Sequence, residues 1–158
     1  LALANEKEEQ DIMRRPPRKT NESLFSQGIA SHIVWVGLLM AGVTLGIQAW
    51  SINHSGAHWQ TMVFTVLSLA QLGHVLSIRS ERAFLYKQGL FSNIGLLGAV
   101  LLTFVLQLGV IYLPFANTLF KTQPLTIQEL GICIAASAIV FHAVELEKFI
   151  KQKRYKQV

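Results

Sequence analysis

The sequence predicts an all-α membrane protein with four transmembrane helices and both termini in the cytoplasm. Three observations lead there. Hydrophobic residues make up 51% of the 158 residues and charged residues only 15%, against about 25% charged in an ordinary soluble domain. From Gly28 to Ile78 there is no Asp, Glu, Lys or Arg. Finally, 13 of the 14 Lys and Arg residues fall in segments that a four-span reading places on one side of the bilayer.

The elements follow in order. Residues 1–27 are polar, contain Pro16-Pro17 and a run of basic residues, and are expected to form a cytoplasmic loop. Residues 28–158 are expected to form a C-terminal transmembrane domain with a short basic cytoplasmic tail. The charge-free stretch is too long for one span, since a bilayer core takes about 20 helical residues. Ser51 to His58, polar and rich in turn formers, supplies the break. The first two spans are therefore predicted at 30–50 and 60–78. A third is predicted at 93–112, stopped by Pro114. Residues 115–126 read as a polar connection, and Thr126-Ile127-Gln128-Glu129 as a capping box. The fourth span is predicted at 130–147, around a short apolar run from Leu130 to Val144 with Glu129 and Glu145 at its ends.

Charge placement tests this division independently, because the spans were drawn from apolar runs alone. Lys7, Arg14, Arg15, Arg18 and Lys19 precede the first span. Arg79, Arg82 and Lys87 lie between the second and third. Lys148, Lys151, Lys153, Arg154 and Lys156 follow the fourth, and only Lys121 lies on the other side. The positive-inside rule then sets the orientation. The same distribution argues against a nucleic-acid partner: the net charge of +5 is split among three membrane-flanking segments, where anionic headgroups of the lipid bilayer are the simpler partner. Trp50, Trp59 and Tyr112 fall at the expected outer ends of spans, where amphipathic rings prefer to sit. A soluble helical domain that buries these runs internally is the reading least compatible with the charge split.

Polar residues inside the spans are the candidates for chemistry. Gln71 lies near the middle of the second span, with Ser68 three residues before it and His74 three after. These steps cover about a 120° sector of the helix. Polar groups at that depth are costly and face protein or a cavity. Gln71 is either an oxygen ligand in an ion path or an interhelical hydrogen bond. Spacing alone favours the second reading. Gly42 and Gly46 place small residues along one side of the first span, a packing signal. Gln107 and His142 read as structural hydrogen-bonding groups. His54 and His58 are spaced for one helix face, but zinc needs three or four ligands, so a solvated loop is favoured. Cys133, within an apolar run, reads as a small buried hydrophobe. No catalytic residue is apparent: there is no nucleophile beside a base and no glycine-rich phosphate loop.

Asp11-Ile12-Met13-Arg14-Arg15-Pro16-Pro17-Arg18 followed by Glu22-Ser23-Leu24-Phe25 resembles the loop between the sixth and seventh spans of calcium-type P-type ATPases. The resemblance continues in order. Gln71 with Ser80-Glu81-Arg82, then Gly89-Leu90-Phe91-Ser92-Asn93, is similar to span eight and the loop after it. Ile111-Tyr112-Leu113-Pro114 is similar to the end of span nine, and Glu145-Leu146-Glu147-Lys148-Phe149 to the end of span ten. The four spans here would be the last four of ten.

The resemblance implies a parent chain that couples ATP hydrolysis, with magnesium, to transport of calcium, its phosphorylated Asp lying upstream. It implies that this segment carries no cofactor. Its partners would be the remaining spans and the cytoplasmic domains of the same pump. Span eight can offer one ion ligand, and the matching position is Gln71, the single metal-ligand candidate. The two-calcium sarcoplasmic-reticulum type has Glu there, so Gln puts a second calcium site in doubt, since affinity follows ligand charge. The sodium/potassium branch has Gln followed three residues later by Asp, where this chain has His74. A single-calcium pump is the first expectation, with a sodium or magnesium pump as alternatives. Asp11, Arg14, Arg15 and Arg18 are implied to help couple the phosphorylation domain to the spans. A stand-alone four-helix scaffold or small transporter is the competing reading. The start at Leu1-Ala2-Leu3-Ala4, with no Met or leader, predicts further chain upstream, and the expected host is a bacterial-type cell membrane.

Overall fold

The computed structural model describes residues 29–54, 56, 58–79 and 89–155. The expected loop 1–27, with Asp11, Arg14, Arg15 and Arg18, lies outside the described residues, as do the Ser80-Glu81-Arg82 string and the last three residues of the tail. Five α-helices carry the fold: α1 (Ile29–His54), α2 (Trp59–Ser77), α3 (Ile94–Tyr112), α4 (Pro114–Phe120) and α5 (Ile127–Tyr155), with one 3-10 turn at Leu90–Ser92. No strand occurs among the described residues.

Four long helices lie over the stretches 30–50, 60–78, 93–112 and 130–147, and their ends differ from those bounds for physical reasons. α1 runs on to His54 instead of stopping near 50. Asn53 Nδ2 donates to the Ala49 carbonyl at 2.8 Å and His54 Nδ1 lies 2.9 Å from the Trp50 carbonyl. These side chains fold back on the preceding turn, and the helix continues where its composition suggested a break. Gly56, at φ 38°, then turns the chain and donates to the Ser51 carbonyl at 3.0 Å. A glycine accepts that left-handed backbone without Cβ strain.

The stretch read as a polar connection holds α4. Pro114, which ends α3, also begins α4, because its fixed φ suits a first helical position and its missing N–H is not needed there. Asn117 Nδ2 reaches back to the carbonyls of Val110 at 3.0 Å and Ile111 at 2.8 Å, and Thr122 Oγ1 donates to Val110 O at 2.6 Å. The orphan carbonyls at the end of α3 are thereby satisfied. Lys121, at φ 55°, closes α4 in the left-handed conformation.

α5 is 29 residues long, well beyond the predicted 130–147. It starts early because the expected capping box is formed: Thr126 N donates to Glu129 Oε2 at 2.8 Å and Glu129 N to Thr126 Oγ1 at 3.2 Å. Its charged second half stays helical because Lys148 pairs with Glu145 at 2.8 Å and Lys151 with Glu147 at 2.5 Å, three and four residues apart.

α2 is the central helix. It packs most extensively on α5, then on α1, and also touches α3. Gly73 lets α2 and α5 close together: a Cβ at this position would lie 3.4 Å from Phe141 Cβ. The apolar core is Met62 and Val66 of α2, Ile111 of α3, Leu125, and Cys133 and Ala136 of α5, flanked by Val43 and Ile47 of α1. It occupies the end of the bundle near the α1–α2 connection. Large side chains remain exposed along the outer faces, among them Leu38, Leu102, Leu106 and Phe115. Apolar surface of that extent fits lipid or further helices, not water.

Three helices are long and apolar enough to cross a membrane: α1, α3, and α5 over Ile127–Lys151. α2, at 19 residues, has the length but carries Gln60, Thr61, Thr65, Ser68, Gln71, His74 and Ser77. Several of these polar groups are turned inward. Thr61 is buried and its hydroxyl accepts from Gln123 N at 2.9 Å, and Ser77 is buried as well.

Candidate functional site

α2 carries the candidate ion-path residues, and the structure splits the sector that Ser68, Gln71 and His74 were expected to share. Gln71 is exposed, and Ser68 and His74 are half-buried. Among the described residues Gln71 has no hydrogen-bond partner, so the interhelical bond that spacing favoured is not made within these helices. Its amide oxygen is left available on the outside of the bundle, at mid-helix. His74 turns the other way, toward α1, where its Nε2 lies 3.4 Å from His32 Nε2.

The remaining polar candidates divide cleanly. Gln107 is buried and its Nε2 donates to Thr65 Oγ1 at 3.4 Å, which ties α3 to α2. Thr65 in turn donates to the Thr61 carbonyl at 2.7 Å. These are the structural bonds the sequence suggested. His142 is exposed and its Nδ1 sits 2.8 Å from the Ala138 carbonyl of its own helix, so it links no helices. Gly42 and Gly46 are exposed, and a Cβ at either would meet nothing within 4 Å. The small-residue side of α1 is open among the described residues.

Several contacts were not legible beforehand. His58, read as part of a solvated loop, lies 3.0 Å from Glu129 Oε1 and ties the start of α2 to the start of α5. His54 instead stacks on Trp50, with ring centres 4.7 Å apart. At the opposite end Lys148 Nζ is buried and donates to the Ser77 carbonyl, closing the last turn of α2. A cation at a helix C-terminus also complements the helix dipole. Arg79 donates to Ser92 Oγ at 2.6 Å and reaches Gly89 O at 3.5 Å, holding the turn before α3. His32 Nδ1 lies 2.6 Å from Glu147 Oε2. The signal for His32 was its place in the charge-free stretch, since an ionisable residue inside a span is seldom idle.

The donor set cannot enclose a metal ion by itself. Calcium takes six to eight oxygens. Gln71 offers one carbonyl oxygen, and no cluster of three or more His, Cys, Asp or Glu suited to a metal occurs among the described residues. Any transported cation held at Gln71 would need ligands from other helices.

The comparisons with known proteins agree with this incompleteness. Residues 1–150 match the family model described as cation transporting ATPase, C-terminus. The chain is 35% identical over 143 residues to a calcium-transporting ATPase of Bacillus subtilis, covering 88% of this chain and 16% of that protein. It is 31% identical over 157 residues to a calcium-transporting ATPase of Listeria monocytogenes, covering 99% of this chain and 18% of that protein. A calcium-transporting ATPase type 2C member 2 of mouse is 29% identical over 164 residues, covering 99% of this chain and 17% of that protein. The chain thus spans about a sixth of the length of the relatives it matches. It is an integral, multi-pass membrane segment, and it belongs to the family of cation-transporting P-type ATPase C-termini.

Proposed function

We propose that this chain forms the last four spans of an ATP-driven calcium pump, with Gln71 lending one oxygen to the transported ion. The observation that carries the reading is the placement of Gln71. It stands exposed on the central helix while Thr61, Thr65 and Ser77 of that helix are buried. In lipid such a group is expensive. Facing the upstream spans of a pump, it becomes a ligand or a partner for one.

On this reading α2, the second of the four spans, also crosses the membrane and both termini lie in the cytoplasm, which the distribution of Lys and Arg supports. ATP and magnesium act on the upstream cytoplasmic domains. Asp11, Arg14, Arg15 and Arg18 transmit the phosphorylation cycle to the membrane. The open Gly42 and Gly46 side of α1 is available for close approach by another helix of the same pump.

The test is calcium-stimulated ATPase activity of the full-length protein carrying Gln71→Ala or Gln71→Glu. Losing one ligand of several should weaken apparent calcium affinity about tenfold, equivalent to about 1.4 kcal/mol. Gln71→Glu should restore or exceed the original affinity, because a charged oxygen binds calcium more strongly. An unchanged affinity in both variants would reduce Gln71 to a packing residue.

A further inference from the structure

A cluster of ionisable side chains sits away from Gln71, at the end of the bundle where α1 begins and α2 ends. It joins three helices. His32 comes from α1, His74 from α2, and Glu147 with Lys151 from α5. His32 is the hub: its Nδ1 is 2.6 Å from Glu147 Oε2 and its Nε2 is 3.4 Å from His74 Nε2. Glu147 Oε1 is taken by Lys151 at 2.5 Å.

The ring geometry decides how the two histidines meet. Their centroids are 5.6 Å apart and their planes differ by only 21°. The nitrogen-to-nitrogen gap accounts for most of that separation, and the remainder is what the two ring radii contribute. The rings therefore meet nose to nose, nitrogen against nitrogen, and do not lie face over face. That is the geometry of an N–H···N hydrogen bond. Two imidazoles sharing one metal ion would have to splay around it, and no group of three or more His, Cys, Asp or Glu suited to a metal occurs among the described residues.

Proton bookkeeping follows from the contacts. A neutral imidazole has one N–H and one bare nitrogen, and an imidazolium has two N–H groups. The 2.6 Å contact with a carboxylate places a proton on His32 Nδ1. With His32 neutral, its bare Nε2 accepts from His74 Nε2–H. With His32 protonated, its Nε2–H donates to a bare His74 Nε2. Either way one proton lies between the two rings. If both rings are protonated, two N–H groups face each other and the contact fails.

We propose that His32, His74 and Glu147 form a proton-sensitive lock of the start of α1 to α2 and α5, closed while at most one of the two rings is protonated and opened when both are. Among the described residues the other charged groups at this end have the following contacts. Glu145 and Lys148 pair with each other, and Lys148 also caps the Ser77 carbonyl. Arg79 holds Ser92 and Gly89. α1 carries no Asp, Glu, Lys or Arg, α4 has no ionisable side chain, and α3 has only Tyr112, at the opposite end. The first proton keeps the lock closed and a second opens it. The start of α1, which directly follows residues 1–28, is the part released. The proposal does not depend on which ion is transported, so an ion affinity indifferent to Gln71 would leave it standing.

The experiment is thermal unfolding of the full-length protein in lipid nanodiscs between about pH 8 and pH 5, the range in which an imidazole titrates. Unmodified protein should lose melting temperature as the second proton enters. H74Q should flatten that loss, because an amide can pair with His32 in either protonation state. H32Q should also flatten it, and the double variant should add nothing further. A full acid-dependent loss retained in each single variant, or effects that sum in the double variant, would overturn the proposal. Should the variants fail to fold, nitrogen NMR of 15N-histidine-labelled unmodified protein decides. One proton shared by the two Nε2 atoms is expected, whereas two rings titrating independently would sink the lock.

Discussion

The two ends of the bundle are held by different chemistry. Near the α1–α2 connection the helices are closed by hydroxyls, amides and an apolar core. Thr126 and Glu129 cap α5, Asn117 and Thr122 satisfy the end of α3, Tyr112 donates to Leu125 O at 3.0 Å, and Met62, Val66, Ile111 and Cys133 pack between them. The His58–Glu129 contact at this end is backed by the amide and hydroxyl of Thr126. At the opposite end the links between helices are ionisable: His32 with Glu147 and His74, and Lys148 with Ser77 and Glu145. Helices in lipid gain little from burying apolar surface against one another, so polar links and close packing set their arrangement. The first end has one histidine–carboxylate contact, His58–Glu129, among links made mainly by hydroxyls, amides and apolar packing. At the second, three helices meet through the side chain of His32, and it lies beside the segment expected to face the cytoplasmic machinery.

Substitutions can break this contrast, starting with the largest effect. Met62→Ala should cost about 3 kcal/mol, because Met62 is fully buried at the centre of the packed end and leaves a cavity. Its readout is alkylation of Cys133, a buried thiol whose Sγ lies 3.7 Å from the Met62 carbonyl. Mass spectrometry of the peptide containing Cys133 should show faster labelling in the variant, and unchanged labelling would mean that the core closes over the gap. Lys148→Met should cost about 2 kcal/mol, since it strips a charged donor from the Ser77 carbonyl and from Glu145. Melting of the full-length protein measures it. Equal sensitivity of the two substitutions to pH would erase the distinction between the ends. Thr126→Ala should cost about 1 kcal/mol, the usual value of a lost N-cap. Hydrogen exchange should then rise in the first turn of α5 and not at its charged end.

Much of this architecture was legible in the sequence because bilayers impose simple arithmetic. A charge-free stretch too long for one span, a Pro after an apolar run and a Thr-x-x-Glu box located the long helices. The ends were less legible where side chains contradict their composition. α1 runs on through Asn53 and His54, whose side chains bond backward, and Glu145 to Lys151 support α5 by pairing along it. Pro114 was read as a stop and is also a start. Gln71 could be singled out from its depth in the span. That it points out of the bundle while His74 points in could not, because it depends on how α2 is rotated against α1 and α5. The His32–His74 pair joins residues 42 apart, and no local pattern brings them together.

The length of α5 has a spatial consequence. Its 29 residues make a rod of about 43 Å at 1.5 Å per residue, while the hydrocarbon layer is about 30 Å thick. With Glu129 at one surface and the helix upright, roughly two turns would project past the other. Lys148 and Lys151 then stand at headgroup level, and the helix beyond them is a short mast rising from the membrane. Whatever docks there meets a rigid post whose height is set by the bilayer beneath it.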